Sequence, residues 1–313
     1  MFQDMLIQKN VSLRDKNWFA TGGAAEFYAA PQTALEFREA ILFAQKHHLP
    51  ITMLGQGANS LINDSGIKGL VIQPHLNYIS FDSNGLVTAG AGVSMQDLIE
   101  ACLAHQLLGL EEFSGIPGSV GGSVFINLHY FEFLLSQFLI SARIMHNISG
   151  EIVEIDNARF NFGYNSSSLQ TEPYYLIDAT FKLTPTDAIG AAYARGRSRE
   201  IIRHRTARYP SKNTCGSFFR NFLPEEVSLE SNEKKMIYVA YYLDKLGIKG
   251  QLNVGDAVVS YQHANMIVNQ GNATTRDIID LARKMQTMVY ETYGITPQPE
   301  CRLLGFDVYP LLR

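Results

Sequence analysis

The sequence predicts an α+β fold, because strand-like runs gather between helices without the regular alternation that a doubly wound sheet needs. Two further features agree. The helical stretches carry their own start and stop signals, and the strand runs are short and bounded by turn-forming residues.

Thr33 and Glu36 make a T-x-x-E capping signal before LEFREAILFAQKHH. Ser94, with Asp97 three residues on, opens SMQDLIEACLAHQL in the same manner. EKKMIYVAYYLDKLG, residues 233–247, reads as a helix closed by Gly247. Thr274 and Asp277 open TTRDIIDLARKMQTMVYETYG, in which Ile278, Leu281, Met285, Met288 and Val289 recur at helical spacing and read as core. AEFYAAP, PITML, GLVIQP, YISFD and LVTAG read as strands in the first third. ARIMHNISGEIVEI reads as a hairpin turning at Ser149-Gly150, and YLIDATFKL as a further strand. GDAVVS, NMIVNQ and CRLLGF supply short late strands.

A chain of 313 residues with 46% hydrophobic and 18% charged residues is of ordinary globular make-up and long enough for about two domains. Its net charge of -4 argues against a surface built for nucleic acid or an anionic membrane. Cys102, Cys215 and Cys301 are too scattered for a disulfide framework or a zinc site, so a reducing cytoplasm is expected. The histidines show no ligand spacing, so no metal is expected. MFQDMLIQKN lacks the apolar stretch of a signal peptide, and YFEFLLSQFLISARI is too short and polar to span a bilayer. ARGRSREIIRHRTARYPSK carries six arginines and Lys212 against Glu200. It reads equally as a solvated helix face ending in a linker at Pro210 or as an anion-facing segment.

Two glycine loops point to a phosphate-bearing cofactor. GQGANS, Gly55–Ser60, superficially matches a dinucleotide fingerprint, but LINDSGIKGLVI after it reads as extended chain and a turn. A Rossmann site needs a helix there, so that reading is disfavoured, while a nest of backbone N–H groups stays open. GIPGSVGGSVF, Gly115–Phe125, holds four glycines that permit close approach to a ligand, or simply a pair of tight turns. In NTCGSFFRNF, Ser217 alone reads as a turn serine.

Taken together, LGQGANSLI, SGIPGSVGGSVFIN, CGSFFRN, YYLDKLGIKG with VSYQHANMIVNQGNATTRDII, and PQPECRLLG resemble the motifs of the UDP-N-acetylenolpyruvoylglucosamine reductase family, in family order along nearly the whole chain. The resemblance implies FAD held by two N-terminal lobes of the vanillyl-alcohol-oxidase type, residues 1–74 and 75–190, and a C-terminal α/β domain, residues 191–313, that binds the UDP-sugar. It implies NADPH as reductant, reduction of an enolpyruvyl double bond to UDP-N-acetylmuramate for peptidoglycan, and a protein expected to act as a monomer. Gly55, Gln56, Gly57, Ala58, Asn59 and Ser60, with Pro117, Gly118, Ser119, Gly121 and Gly122, fall at flavin positions. Ser217 matches the proton donor and Glu300 the terminal glutamate, expected protonated or hydrogen-bonded. Tyr164, Asn221, Lys249 and His263 match substrate positions; Lys249 otherwise reads as a solvated turn lysine and His263 as a structural histidine.

Two departures stand out. The family reads phenylalanine-glycine-tyrosine-arginine, whereas FGYNSSSLQ puts Asn165 at the arginine, with no cationic fork for a carboxylate. Arg302 and Arg220 are candidate substitutes by sequence proximity. The family's asparagine-alanine-glycine-alanine-tyrosine-glycine becomes NLHYFEF, Asn127–Phe133, with His129 and Tyr130 set to narrow a pocket or to pack. These changes leave open a related flavoprotein with another substrate or weak activity, or a UDP-sugar-binding protein.

Overall fold

Each of the three predicted capping residues starts a helix. In the computed structural model, which describes residues 7–231 and 233–313, the hydroxyls of Thr33, Ser94 and Thr274 accept from the N–H groups of Glu36, Asp97 and Asp277. Each bond satisfies a donor that the first turn would otherwise leave unpaired. The helices are α1 (Ala34–Lys46), α2 (Met95–Ala104), α3 (Val120–Phe125), α4 (Ala188–Arg208), α5 (Val239–Lys245) and α6 (Thr275–Tyr293). The reading of the first six residues lies outside the described residues.

The chain divides into two compact units. One takes the residues up to Asn10, Glu26–Gln56 and Lys68–Arg205; the other takes Val11–Ala25, Gly57–Ile67 and Thr206–Arg313. The first unit is centred on a five-stranded antiparallel sheet in the order Ile152–Asp156, Leu139–His146, Tyr174–Lys182, Leu86–Gly90, Ile79–Phe81. The expected hairpin forms its edge, with Gly150 in the left-handed region at φ 66°. Ile144, Ile177, Ala179, Phe181, Val87 and Ala89 of this sheet join Leu98, Phe113 and Val120 in one apolar core. Central Asp178 is buried and bound by the Arg143 guanidinium and the Tyr78 hydroxyl. Burial and the Asp178 carboxylate push the Tyr78 hydroxyl up to about 12.

In the second unit, α6 lays Ile278, Leu281, Ala282, Met285 and Val289 into a core with Phe218, Phe219, Tyr242, Leu243, Val259 and Ile267. Gly294 ends it at φ 71°. Strands Asn253–Val254, Ala257–Val259 and Ile267–Asn269 form an antiparallel sheet, and Arg302–Leu304 pairs in parallel with Ser60–Ile62.

Two local expectations are corrected. The helix read over residues 233–247 is confined to Val239–Lys245, because Lys234–Lys235 pairs with Glu230–Ser231 and the carbonyl of Ile237 accepts from the Phe222 N–H at 2.8 Å. Gly247 follows that helix with φ 68°, as its stop signal requires. The second glycine loop is not a pair of turns throughout. Ser119 caps α3, accepting from the Gly122 N–H at 3.3 Å.

The arginine-rich segment is the C-terminal part of α4, whose buried strip is only Ala191, Ala194, Ser198 and Ile201. Its arginines fan out. Arg197 pairs with Glu112 at 2.9 Å, Arg203 with Glu200 at 2.6 Å, and Arg195 donates to the Leu103 carbonyl at 2.9 Å. That dispersal matches a solvated helix face. Among the described residues no helix is long and apolar enough to cross a membrane.

Candidate active site

The segment Ser217–Arg220, bent at Phe218, is held on two sides by isolated bridges. On one edge Ser217 bridges to Met266, and the Phe218 N–H donates to the Asn265 carbonyl at 2.8 Å. On the other edge Phe219 bridges to Pro299, the Glu300 N–H donates to the Phe218 carbonyl at 2.9 Å, and the Arg220 N–H donates to Gln298 at 2.9 Å. Residues distant in the sequence are thus held together, and Glu300 is bonded through its N–H to the residue next to Ser217.

Asn265 adds a second hold with its side chain. Its Oδ1 accepts from the Phe219 N–H at 3.1 Å, and its Nδ2 donates to the Phe219 carbonyl at 2.7 Å. The amide imitates a paired strand residue and is 2% exposed. The sequence reading took His263 from this stretch and passed over Asn265. Polarity in the middle of HANMIVN was the available signal, because a buried amide needs partners.

Glu300 is half-buried, and loss of solvent pushes its carboxyl up to about 7. Behind it, Asn59 donates from Nδ2 to the Glu300 carbonyl at 3.3 Å and accepts from the Arg302 N–H at 2.9 Å. Cys215 and Cys301 are buried thiols that donate to the Gly216 and Arg302 carbonyls, and burial first and the neighbouring Cys301 thiol second push the Cys215 thiol well up. His263 is half-buried, with its Nδ1 accepting from the Asn265 N–H at 3.3 Å and its ring edge-on to Tyr209. Burial, then the charges of Arg208 and Lys249, lower it to about 4, so it is neutral. Lys249 is exposed and paired with Asp244 at 2.8 Å. Asn221 is half-buried; its carbonyl accepts from Arg220 at 2.9 Å. Arg220 is no spare cation, since its guanidinium forks onto both oxygens of Glu226 at 2.8 and 2.7 Å.

In the first unit the two sequence departures prove to be neighbours. Asn127 donates to the Gly163 carbonyl at 3.2 Å, and Ser167 donates to the Phe125 carbonyl at 2.8 Å. These bonds tie the end of α3 to the turn carrying Tyr164 and Asn165. Tyr164 is 48% exposed, and its ring lies 5.1 Å from that of His129. Burial lowers the pKa of His129. His129–Tyr130 pairs with Phe133–Leu134 in a short hairpin, so the altered segment packs as a ribbon with Phe131 at its exposed tip. Asn165 adopts φ 53°, a left-handed conformation that asparagine tolerates better than arginine. Both polar atoms of its amide are shielded from solvent and find no hydrogen-bond partner among the described residues.

The glycines separate into two kinds. A Cβ at Gly57, where φ is +66°, would lie 2.4 Å from the Lys16 carbonyl; one at Gly55 would lie 2.8 Å from Ser119 Oγ; one at Gly121 would lie 3.0 Å from the Ala91 carbonyl. Packing demands glycine at Gly57 and leaves little space at the other two. At Gly118 (φ +142°) and Gly122 the nearest atoms are 3.8 and 3.6 Å away, so the protein leaves room there. Gly122 is helical and needs no unusual φ, so neither packing nor conformation accounts for it. Gln56, Asn59 and Ser60 are half-buried while Ala58 is buried; Pro117 is half-buried and Ser119 buried. No group of three or more histidine, cysteine, aspartate or glutamate side chains among the described residues is set to hold a metal ion.

Comparison with known proteins gives two family-model matches, an FAD binding domain over residues 25–156 and the C-terminal domain of UDP-N-acetylenolpyruvoylglucosamine reductase over residues 208–304. The chain is 35% identical over 290 residues to the UDP-N-acetylenolpyruvoylglucosamine reductase of Trichormus variabilis, covering 92% of this chain and 83% of that one. It is 35% identical over 302 residues to that of Gloeobacter violaceus, covering 96% of each. The crystal structure of the Thermus caldophilus reductase superposes with a TM-score of 0.76 at 27% identity, over 95% of this chain and 99% of that one.

Proposed function

The chain belongs to the UDP-N-acetylenolpyruvoylglucosamine reductase family, and from that premise we propose that it uses NADPH to reduce UDP-N-acetylglucosamine enolpyruvate to UDP-N-acetylmuramate, a cytoplasmic step of peptidoglycan precursor synthesis. The chain carries an FAD binding domain, which makes it a flavin oxidoreductase. The residues fit that cofactor. At Gly118 and Gly122 a Cβ would make only ordinary contacts within the protein, so glycine there suits a flat, phosphate-bearing group approaching the backbone closely. Gly55–Ser60 and Pro117–Gly122 are the residues that would hold it. When bound, the flavin supplies hydride chemistry that side chains lack.

The single observation that carries the reading is the backbone bond from the Glu300 N–H to the carbonyl of Phe218, the residue next to Ser217. Reducing the double bond adds a hydride equivalent at one carbon and a proton at the other. Ser217 is the group that delivers the proton. Glu300, with its carboxyl near neutrality, keeps a proton when the developing enolate needs a hydrogen-bond donor rather than a second negative charge. Neutral His263, Lys249, Asn221 and Tyr164 are the side chains assigned to the UDP-sugar. At Asn165 the amide, unpartnered among the described residues and shielded from solvent, brings no charge to the substrate carboxylate. The test is anaerobic. NADPH-reduced protein mixed with the enolpyruvyl sugar is expected to return to the oxidised flavin spectrum with one lactyl ether formed per flavin; a spectrum that stays reduced overturns the proposal.

A further inference from the structure

We propose that Asn265 is a positioning residue for proton delivery, its side chain fixing the strand on which Ser217 is carried. The inference rests on Ser217 being the proton donor. Ser217 lies two residues before Phe219, whose N–H and C=O are both taken up by the Asn265 amide at 3.1 and 2.7 Å. The Asn265 backbone carbonyl meanwhile accepts from the Phe218 N–H at 2.8 Å. One buried residue therefore binds three backbone polar groups of two consecutive residues. Among the described residues, the opposite edge is held by backbone atoms of Gln298, Glu300 and Cys301.

This division matters for chemistry. Backbone bonds to Glu300 set the serine's register against the glutamate. Without the Asn265 amide both polar groups of Phe219 lose their partner, and that side keeps only the Ser217–Met266 bridge and the Phe218 bond to the Asn265 carbonyl. A proton donor displaced by about 1 Å from its line of attack loses on the order of a hundredfold in rate. The substrate-contacting residues assigned above are different side chains, so binding should survive the lesion. The same turn carries His263, whose Nδ1 accepts from the Asn265 N–H, but that bond uses the backbone and persists in any variant at this position.

The experiment uses the FAD-loaded protein, with Asn265→Asp and Asn265→Ala. Asp keeps the acceptor for the Phe219 N–H and loses the donor to its carbonyl; Ala loses both. Expected for the Asp variant is a flavin reduction by NADPH close to wild type, with reoxidation by the enolpyruvyl sugar slowed on the order of a hundredfold. The solvent deuterium isotope effect on reoxidation should rise, because proton transfer has become limiting, and substrate affinity should stay near wild type. Hydrogen exchange over residues 216–222 should quicken in the same variant. A wild type that reoxidises beside a variant slowed alike in both half-reactions, with an unchanged isotope effect, overturns the clamp alone. A wild type whose flavin stays reduced defeats the proposed reaction and the serine's role together. Unchanged exchange in the Asp variant overturns the clamp whatever the activity, and it does so even where the Ala variant fails to fold.

Discussion

Replacing Glu300 by glutamine should remove a pH-dependent cost from the folded protein. The free carboxyl rises from its ordinary 4.5 to about 7 because burial strips it of water. Between those values the folded state holds more protons at this site than the unfolded chain. Unfolding free energy therefore falls as pH rises through that window and levels off above about 7. At roughly 1.4 kcal/mol per pH unit the ceiling is about 3 kcal/mol, and water reaching the half-buried side chain reduces it to about 1–2 kcal/mol. Glutamine keeps the shape and has no proton to lose. Urea unfolding of the two proteins should give like midpoints near about pH 5, with the glutamine variant more stable by about 1–2 kcal/mol near about pH 8. Parallel curves across that range would refute the assignment of a displaced carboxyl at this position.

Other predictions follow from the same geometry. Ser217→Ala should leave flavin reduction by NADPH intact and slow reoxidation by the enolpyruvyl sugar about 10²–10⁴-fold in stopped flow. Asn165→Arg should quicken reoxidation if the lost charge limits the rate, at a cost of about 1 kcal/mol for a left-handed arginine; unchanged or slower turnover would count against that limit. Gly122→Ala should hold its melting temperature without flavin and yet bind FAD more weakly, by the absorbance retained on dialysis. Gly57→Ala should lose stability in both states, because its Cβ meets the Lys16 carbonyl. Arg143→Ala should destabilise the first unit by about 3 kcal/mol in urea melts, since it strips the ion pair from buried Asp178.

What could be read in advance was local. Thr33, Ser94 and Thr274 announce helices because an N-cap and its partner lie three residues apart. The Ser149-Gly150 hairpin is likewise written in a short window. The second glycine loop misled because four glycines suggest turns, while Ser119 needs only one N–H to start α3. Residues 233–238 misled because Gly247 marks where the helix stops but nothing in the stretch marks where it starts, and pairing with residues outside the window draws them into extended chain. Ser217 and Glu300 were found through motif resemblance alone. Their juxtaposition is set by hydrogen bonds between distant segments, and no local pattern encodes such a register. Asn265 escaped for the same reason, its partners lying at Phe218 and Phe219. The nearness of His129 to Tyr164 joins two departures that looked unrelated in the chain.

The most direct measurement of the central claim is a crystal structure of the protein with its UDP-sugar bound. The account predicts the Ser217 hydroxyl and the Glu300 carboxyl both within hydrogen-bond reach of the enolpyruvyl group. A sugar bound with that group elsewhere, or with Ser217 turned to bulk solvent, would contradict it.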